Sequence, residues 1–128
     1  MKPNWKRPKT LDSVTISIPT ARGDTPMGTL HLTFGYYKNS LVEVIGKIGK
    51  SGSLAATNLD ILCRLLSCYL QTNTSRKKLI KKLKKNLWDI KGELPFTYEN
   101  EKFEGYEDFI FKRICEEIES RELQKELG

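Results

Sequence analysis

LVEVIGKIGKSGSLAATNLDILCRLLSCYL, Leu41 to Leu70, is the stretch that decides the fold. Leu41–Ile45 is rich in β-branched residues and reads as a strand. Gly46-Lys47-Ile48-Gly49-Lys50-Ser51-Gly52-Ser53 follows as a glycine-rich turn. Glycine lets a backbone turn sharply and approach another group closely. A helix then opens at Ser51 or Ser53, both good N-cap types, and runs to Gln71. Its apolar residues cover more than half of the helix circumference, which predicts a rod buried on several sides and laid across a sheet. Free amide groups at its start, with Lys47 and Lys50 beside them, form an anion-site candidate. The candidate ligand-binding residues are Lys47, Gly49, Lys50, Ser51, Gly52 and Ser53. The alternative is that the glycines only permit a tight strand-to-helix turn.

Two more strands precede this unit. Leu11–Ile18 alternates, with Val14, Ile16 and Ile18 on one face and Thr15 and Ser17 on the other. Thr29–Tyr37 alternates again, with Leu30, Leu32 and Phe34 against His31, Thr33 and Gly35. Residues 19–28 supply a hairpin-length connection, and its Arg22-Gly23-Asp24 tripeptide reads as a turn. Lys38-Asn39-Ser40 supplies the next turn. The expected fold class is α+β: an antiparallel three-stranded meander packed on a long central helix, then an amphipathic helix and a C-terminal helix.

The amphipathic helix is Arg76–Trp88, N-capped by Ser75. Leu79, Ile80, Leu83, Leu87 and Trp88 face inward; Lys77, Lys78, Lys81, Lys82, Lys84 and Lys85 face out. That lysine face is either a solvated surface or a phosphate-contacting stripe, with Lys77, Lys78, Lys81, Lys82 and Lys85 as candidate nucleic-acid contacts. Aromatic residues for base stacking are not interleaved with it. Asp89–Tyr106 reads as an irregular loop folded back by Phe96, Tyr98 and Phe103. Glu107–Leu127 returns to helix, and beyond about Ser120 its polar end is expected to project or fray.

At 128 residues the chain fits one domain. Residues 1–10 are expected to form a flexible basic arm, anchored if anywhere by Trp5; residues 11–120 the domain; residues 121–128 a polar helix end or tail. Charged residues make up 30% of the chain and the net charge is +6, a balance that permits anionic ligands or nucleic acid without requiring them. No apolar run is long enough to span a bilayer, and the first ten residues have no apolar core of a secretory leader, so a cytoplasmic location is expected. Cys63, Cys68 and Cys115 form no Cys-x-x-Cys pair and read as buried reduced thiols. The lone His31 lies on a polar strand face, and neither a catalytic set nor a metal-ligand set can be assembled, so the chain is read as no enzyme and no cofactor is expected. Gly49-Lys50-Ser51 ends like a Walker A loop, but that motif needs a glycine where Val44 stands.

Taken together, GTLHLTFGYYKNSLVEVIGKIGKSGSLAATNLDILCRLLSCYL resembles the TSCPD domain. That domain occurs near the C-terminus of adenosylcobalamin-dependent ribonucleotide reductases and as small free-standing proteins. Gly49-Lys50-Ser51-Gly52-Ser53 matches the family's turn, and Arg64-Leu65-Leu66-Ser67 its Arg-Leu-x-Ser helix segment. LIKKLKKNLWDIKG looks like its following helix. EGYEDFIFKRI stands where the family carries Ser-Cys-Pro-Asp-Ala-Ile, and there only Asp108 agrees. The family's cysteine and proline are absent, so no thiol or metal role carries over at this place. The resemblance covers about residues 8–118 and implies an α+β fold and a link to nucleotides, not reductase activity.

Three readings stay open. The first is a binding module that holds a nucleotide or other anion at the glycine–lysine turn. The second is a small protein-interaction factor that blocks or adapts a larger enzyme, as virus-encoded inhibitors of host defence do. The third is nucleic-acid binding through the lysine helix. An unpaired edge strand also predicts a homodimer.

Overall fold

The computed structural model describes residues 6–19, 29–49, 53–72, 74–92 and 95–127. Trp5, the connection over residues 20–28 with its Arg22-Gly23-Asp24, and Lys50, Ser51 and Gly52 of the proposed anion turn lie outside the described residues.

Three strands, β1 (Asp12–Pro19), β2 (Thr29–Tyr37) and β3 (Ser40–Ile48), form an antiparallel sheet in that order. Alternation sets its two faces. Ile18, Leu30, Leu32, Phe34, Val44 and Ile48 share the buried face, as their pairing requires. The opposite face is polar, with Thr15 hydrogen-bonded to Thr33 at 2.9 Å and Ser17 to His31 at 2.8 Å. Lys38 and Asn39 join β2 to β3 with φ of 49° and 63°, the left-handed pair that a two-residue hairpin turn requires.

The third strand runs further than its apolar pattern predicts. Gly46, Lys47 and Ile48 continue the ladder opposite Leu32, His31 and Leu30, so the expected turn begins only at Gly49, whose φ is +57°. Gly46 is the reason the strand can extend here. A Cβ on it would meet the Cys63 Sγ at 2.9 Å and Leu59 at 3.0 Å, so only glycine lets the following helix lie this close.

That helix is α1 (Leu54–Leu70). Ser53 is its N-cap, accepting the Ala56 amide proton. It covers the buried face of the sheet over β3 with Leu59, Cys63, Leu66 and Leu70. This is one stripe, not burial on several sides. Leu54, Ile61 and Leu65 on the far side face water. Apolar content predicts burial on several sides, but the sheet is on one side only.

Helix α2 (Arg76–Leu87) is capped by Ser75 and buries Leu79 and Leu83. The segment read as an irregular loop contains a hairpin, β4 (Phe96–Tyr98) and β5 (Glu101–Phe103), turned by Glu99 and Asn100 at φ of 50° and 65°. Strands of three residues are too short for alternation to show. Phe96, Phe103 and Tyr98 pack around Phe109, with ring centroids 4.8 to 5.7 Å from it. Phe109 belongs to α3 (Tyr106–Leu127), which also buries Ile110, Ile114 and Ile118. Its polar end stays helical and is exposed over residues 123–127, yet it touches the sheet at two points. The Arg121 guanidinium lies 3.8 Å over the Tyr36 ring and donates to Asn39, and Lys125 donates to Ser40.

Candidate functional site

The glycine–lysine turn borders a cleft of about 550 Å³ between β3 and the start of α1. One wall is the β3 segment Ile45–Gly49; the other is Ala56, Thr57, Asp60 and Arg64 of α1. A second hollow of about 410 Å³ continues along the same helix, sharing Ile45, Asp60 and Arg64 and ending at Arg7, Ser67 and Gln71.

Helix periodicity places the α1 wall. Thr57, Asp60 and Arg64 are three and four residues apart, so they share one flank. The Arg64 Nε donates to the Asp60 carboxylate at 3.1 Å, and both side chains are exposed. Farther along, Arg7 pairs with Glu43 at 2.8 Å. The cleft therefore offers the Arg64 guanidinium, held by Asp60, and the exposed Lys47, while the Arg7 guanidinium, held by Glu43, lines the adjoining hollow.

The sequence-predicted ligand residues divide three ways. Lys47 and Gly49 line the cleft, although cross-strand pairing with His31 puts the Lys47 side chain on the polar sheet face. Ser53 stands at the helix start, where its hydroxyl is engaged by the cap. Lys50, Ser51 and Gly52 lie outside the described residues. The residues that sequence reasoning missed as site residues are Thr57, Asp60 and Arg64; the signals were the place of Arg64 in the Arg-Leu-x-Ser segment and the four-residue step from Asp60 to it.

The two buried thiols offer little reactivity at neutral pH. Cys63 and Cys115 are buried, and burial pushes their pKa up to about 12 and about 11. Cys68 is exposed, contrary to the expectation that all three are buried, because it falls on the outer face of α1. Among the described residues no group of three histidine, cysteine or acidic side chains could hold a metal ion, and no helix is long and apolar enough to cross a membrane.

The family model for the TSCPD domain matches residues 1–117 of the 128. The chain belongs to the TSCPD domain family. Comparisons with curated proteins and with solved structures return no match. Two of the segments that resemble other TSCPD domains have visible work here. In Arg64-Leu65-Leu66-Ser67, Arg64 lines the cleft, Leu66 is buried, and Ser67 hydrogen-bonds the β3 backbone. In the segment that resembles the family's Ser-Cys-Pro-Asp signature, Asp108 is 3% exposed, accepts the Glu104 amide proton at 2.9 Å and pairs with Lys112 at 2.8 Å. That aspartate caps the entry to α3, as an acidic side chain at a helix start can. In this TSCPD domain it is a fold-stabilising group, away from the cleft.

Proposed function

We propose that this TSCPD domain is a non-enzymatic binding module that takes a nucleotide or another anionic ligand beside the glycine–lysine turn. The observation that carries this reading is the cleft itself. Its 550 Å³ lies in the range of small-molecule sites, and Lys47 and Arg64 stand at its walls. An anion entering there would compete with Asp60 for the Arg64 guanidinium, which favours planar oxyanions that accept two hydrogen bonds. Lys47 adds a point charge, and the α1 N-terminus beside Gly49 adds the positive end of a helix dipole.

The test is a thermal-shift screen of nucleotides, cyclic nucleotides and inorganic phosphate against the wild type, Lys47→Ala and Arg64→Ala. A rise in melting temperature that either substitution abolishes supports the reading. Failure of every anion to shift the wild type, or a shift that both variants retain, overturns it.

A second reading rests on α2. Lys77, Lys78, Lys81, Lys82 and Lys85 are all exposed on one arc of that helix, while Lys84 pairs with Glu119 at 2.9 Å. Such a stripe would bind a nucleic-acid backbone with an affinity that falls steeply with salt. Absence of any gel shift at low salt overturns it.

A further inference from the structure

Helix α1 has two apolar faces, and the fold uses one. Opposite the buried stripe, Leu54 is 79%, Ile61 52% and Leu65 64% exposed, with Asn58 and Cys68 exposed on the same side. The positions 54, 58, 61, 65 and 68 alternate steps of four and three. That is the spacing of a coiled-coil seam, in which each side chain inserts between residues of a facing helix. One polar asparagine at a core position is a device that fixes the register of such a pair. Three large aliphatic chains in one row expose on the order of a few hundred Å² of apolar surface, the size of the largest patch on a typical monomer, which is often a contact site.

We propose that this face is a contact between two copies of the chain, α1 against α1 about a two-fold axis. Charge selects the occupant. The chain carries +6, so two copies carry a net electrostatic repulsion. Across its seventeen residues α1 holds only Asp60 and Arg64, which neutralise each other. This face is where two like-charged molecules can meet without juxtaposing like charges, and depletion of charge marks the centre of an interface. An acidic partner would be drawn to the lysines of α2 instead. Orientation follows from the flanks. An antiparallel pair brings Arg64 toward Arg64 of the second copy. A parallel pair keeps them apart, sets Asn58 on its counterpart, where the two amides can hydrogen-bond, and places the two Cys68 thiols side by side.

The contact differs from the edge-strand pairing that the sequence suggests. The outer edge of β3 is already engaged by α1, through Ser67 to Val44 and Gln71 to Val42. The proposal is independent of any ligand in the cleft.

Sedimentation velocity over a concentration series, from low micromolar to several hundred micromolar, tests it. The wild type is expected to pass from monomer to dimer, and Ile61→Asp/Leu65→Asp to stay monomeric with an unchanged circular dichroism spectrum. Should that variant unfold, Asn58→Leu gives the second readout, since removing the buried amide from the seam is expected to tighten association at least several-fold. Mild oxidation is expected to give a covalent dimer that Cys68→Ser abolishes. A wild type that stays monomeric throughout the series, or a dimer untouched by both substitutions, overturns the contact. A dimer that forms no Cys68 disulfide overturns the parallel arrangement.

Discussion

The Ser67 hydroxyl accepts the Val44 amide proton at 3.0 Å and lies 3.0 Å from the carbonyl oxygen of the same residue. It also lies 2.9 Å from the Cys63 carbonyl, so its one proton is shared between two acceptors. A helix side chain thus takes the place of a fourth strand at the edge of β3. Ser67→Ala leaves the Val44 amide without this acceptor. The expected loss of stability is about 1–3 kcal/mol, the cost of an unsatisfied, partly buried polar group. Urea unfolding monitored by circular dichroism measures it, and a midpoint equal to that of the wild type would refute the bridge.

Gly46 sits on the same strand, one inward-facing position along. Gly46→Ala places a methyl group 2.9 Å from the Cys63 sulfur and 3.0 Å from Leu59, both fully buried. Neither neighbour is a flexible chain end in solvent, so helix and strand must separate. The expected cost is about 1–3 kcal/mol, typical of overpacking. The same shift would open the cleft wall formed by Gly46 and Ala56, so the variant should also weaken any anion-dependent rise in melting temperature.

How much of this was legible in the sequence depended on the length and one-sidedness of each pattern. Nine residues of alternation in Thr29–Tyr37 placed β2 at its observed ends, and Ser53 and Ser75 marked the starts of α1 and α2. The end of β3 was misplaced because Gly46 breaks the apolar pattern while still pairing with Leu32. The hairpin at Phe96–Phe103 was hidden by the shortness of its strands. The outer face of α1 was misassigned because composition counts apolar residues without saying which of them meets a neighbour; Ile61 and Leu66 look alike in sequence and differ in burial. In the candidate site, Lys47 and Gly49 were readable from the turn, whereas Thr57, Asp60 and Arg64 join it only once α1 folds back along β3.

Asp108 tests whether the aspartate in the segment that resembles the family signature acts through the fold. It holds the Glu104 amide and the Lys112 ammonium from a site almost closed to water. Asp108→Ala strands both partners. Since Lys112 keeps 25% of its side chain in solvent, the expected cost lies below that of a fully buried pair, about 2–3 kcal/mol. Asp108→Asn, which still offers an oxygen to the Glu104 amide, should lose less. Calorimetry on the two variants separates these outcomes, and equal melting temperatures for Ala, Asn and wild type would exclude the capping role.

The buried thiols predict an alkaline limb of the stability curve. Burial raises the Cys63 pKa to about 12 and the Cys115 pKa to about 11, against about 8.5 for an unfolded cysteine. The native state therefore holds these protons more tightly than the unfolded chain. Stability from this source is complete below about pH 8.5 and drains away as pH rises toward the folded values, because the unfolded state ionises first. Cys63→Ala removes one of the two groups. It should be less stable than the wild type at neutral pH, having lost a buried side chain, and the gap should narrow steadily as pH climbs from about 8 to about 11. Urea midpoints across that range, with Cys68→Ser in both backgrounds to remove the exposed thiol, measure the gap. A gap that stays constant with pH would mean that Cys63 keeps an ordinary thiol pKa, and that α1 packs on Gly46 less closely than the 2.9 Å approach implies.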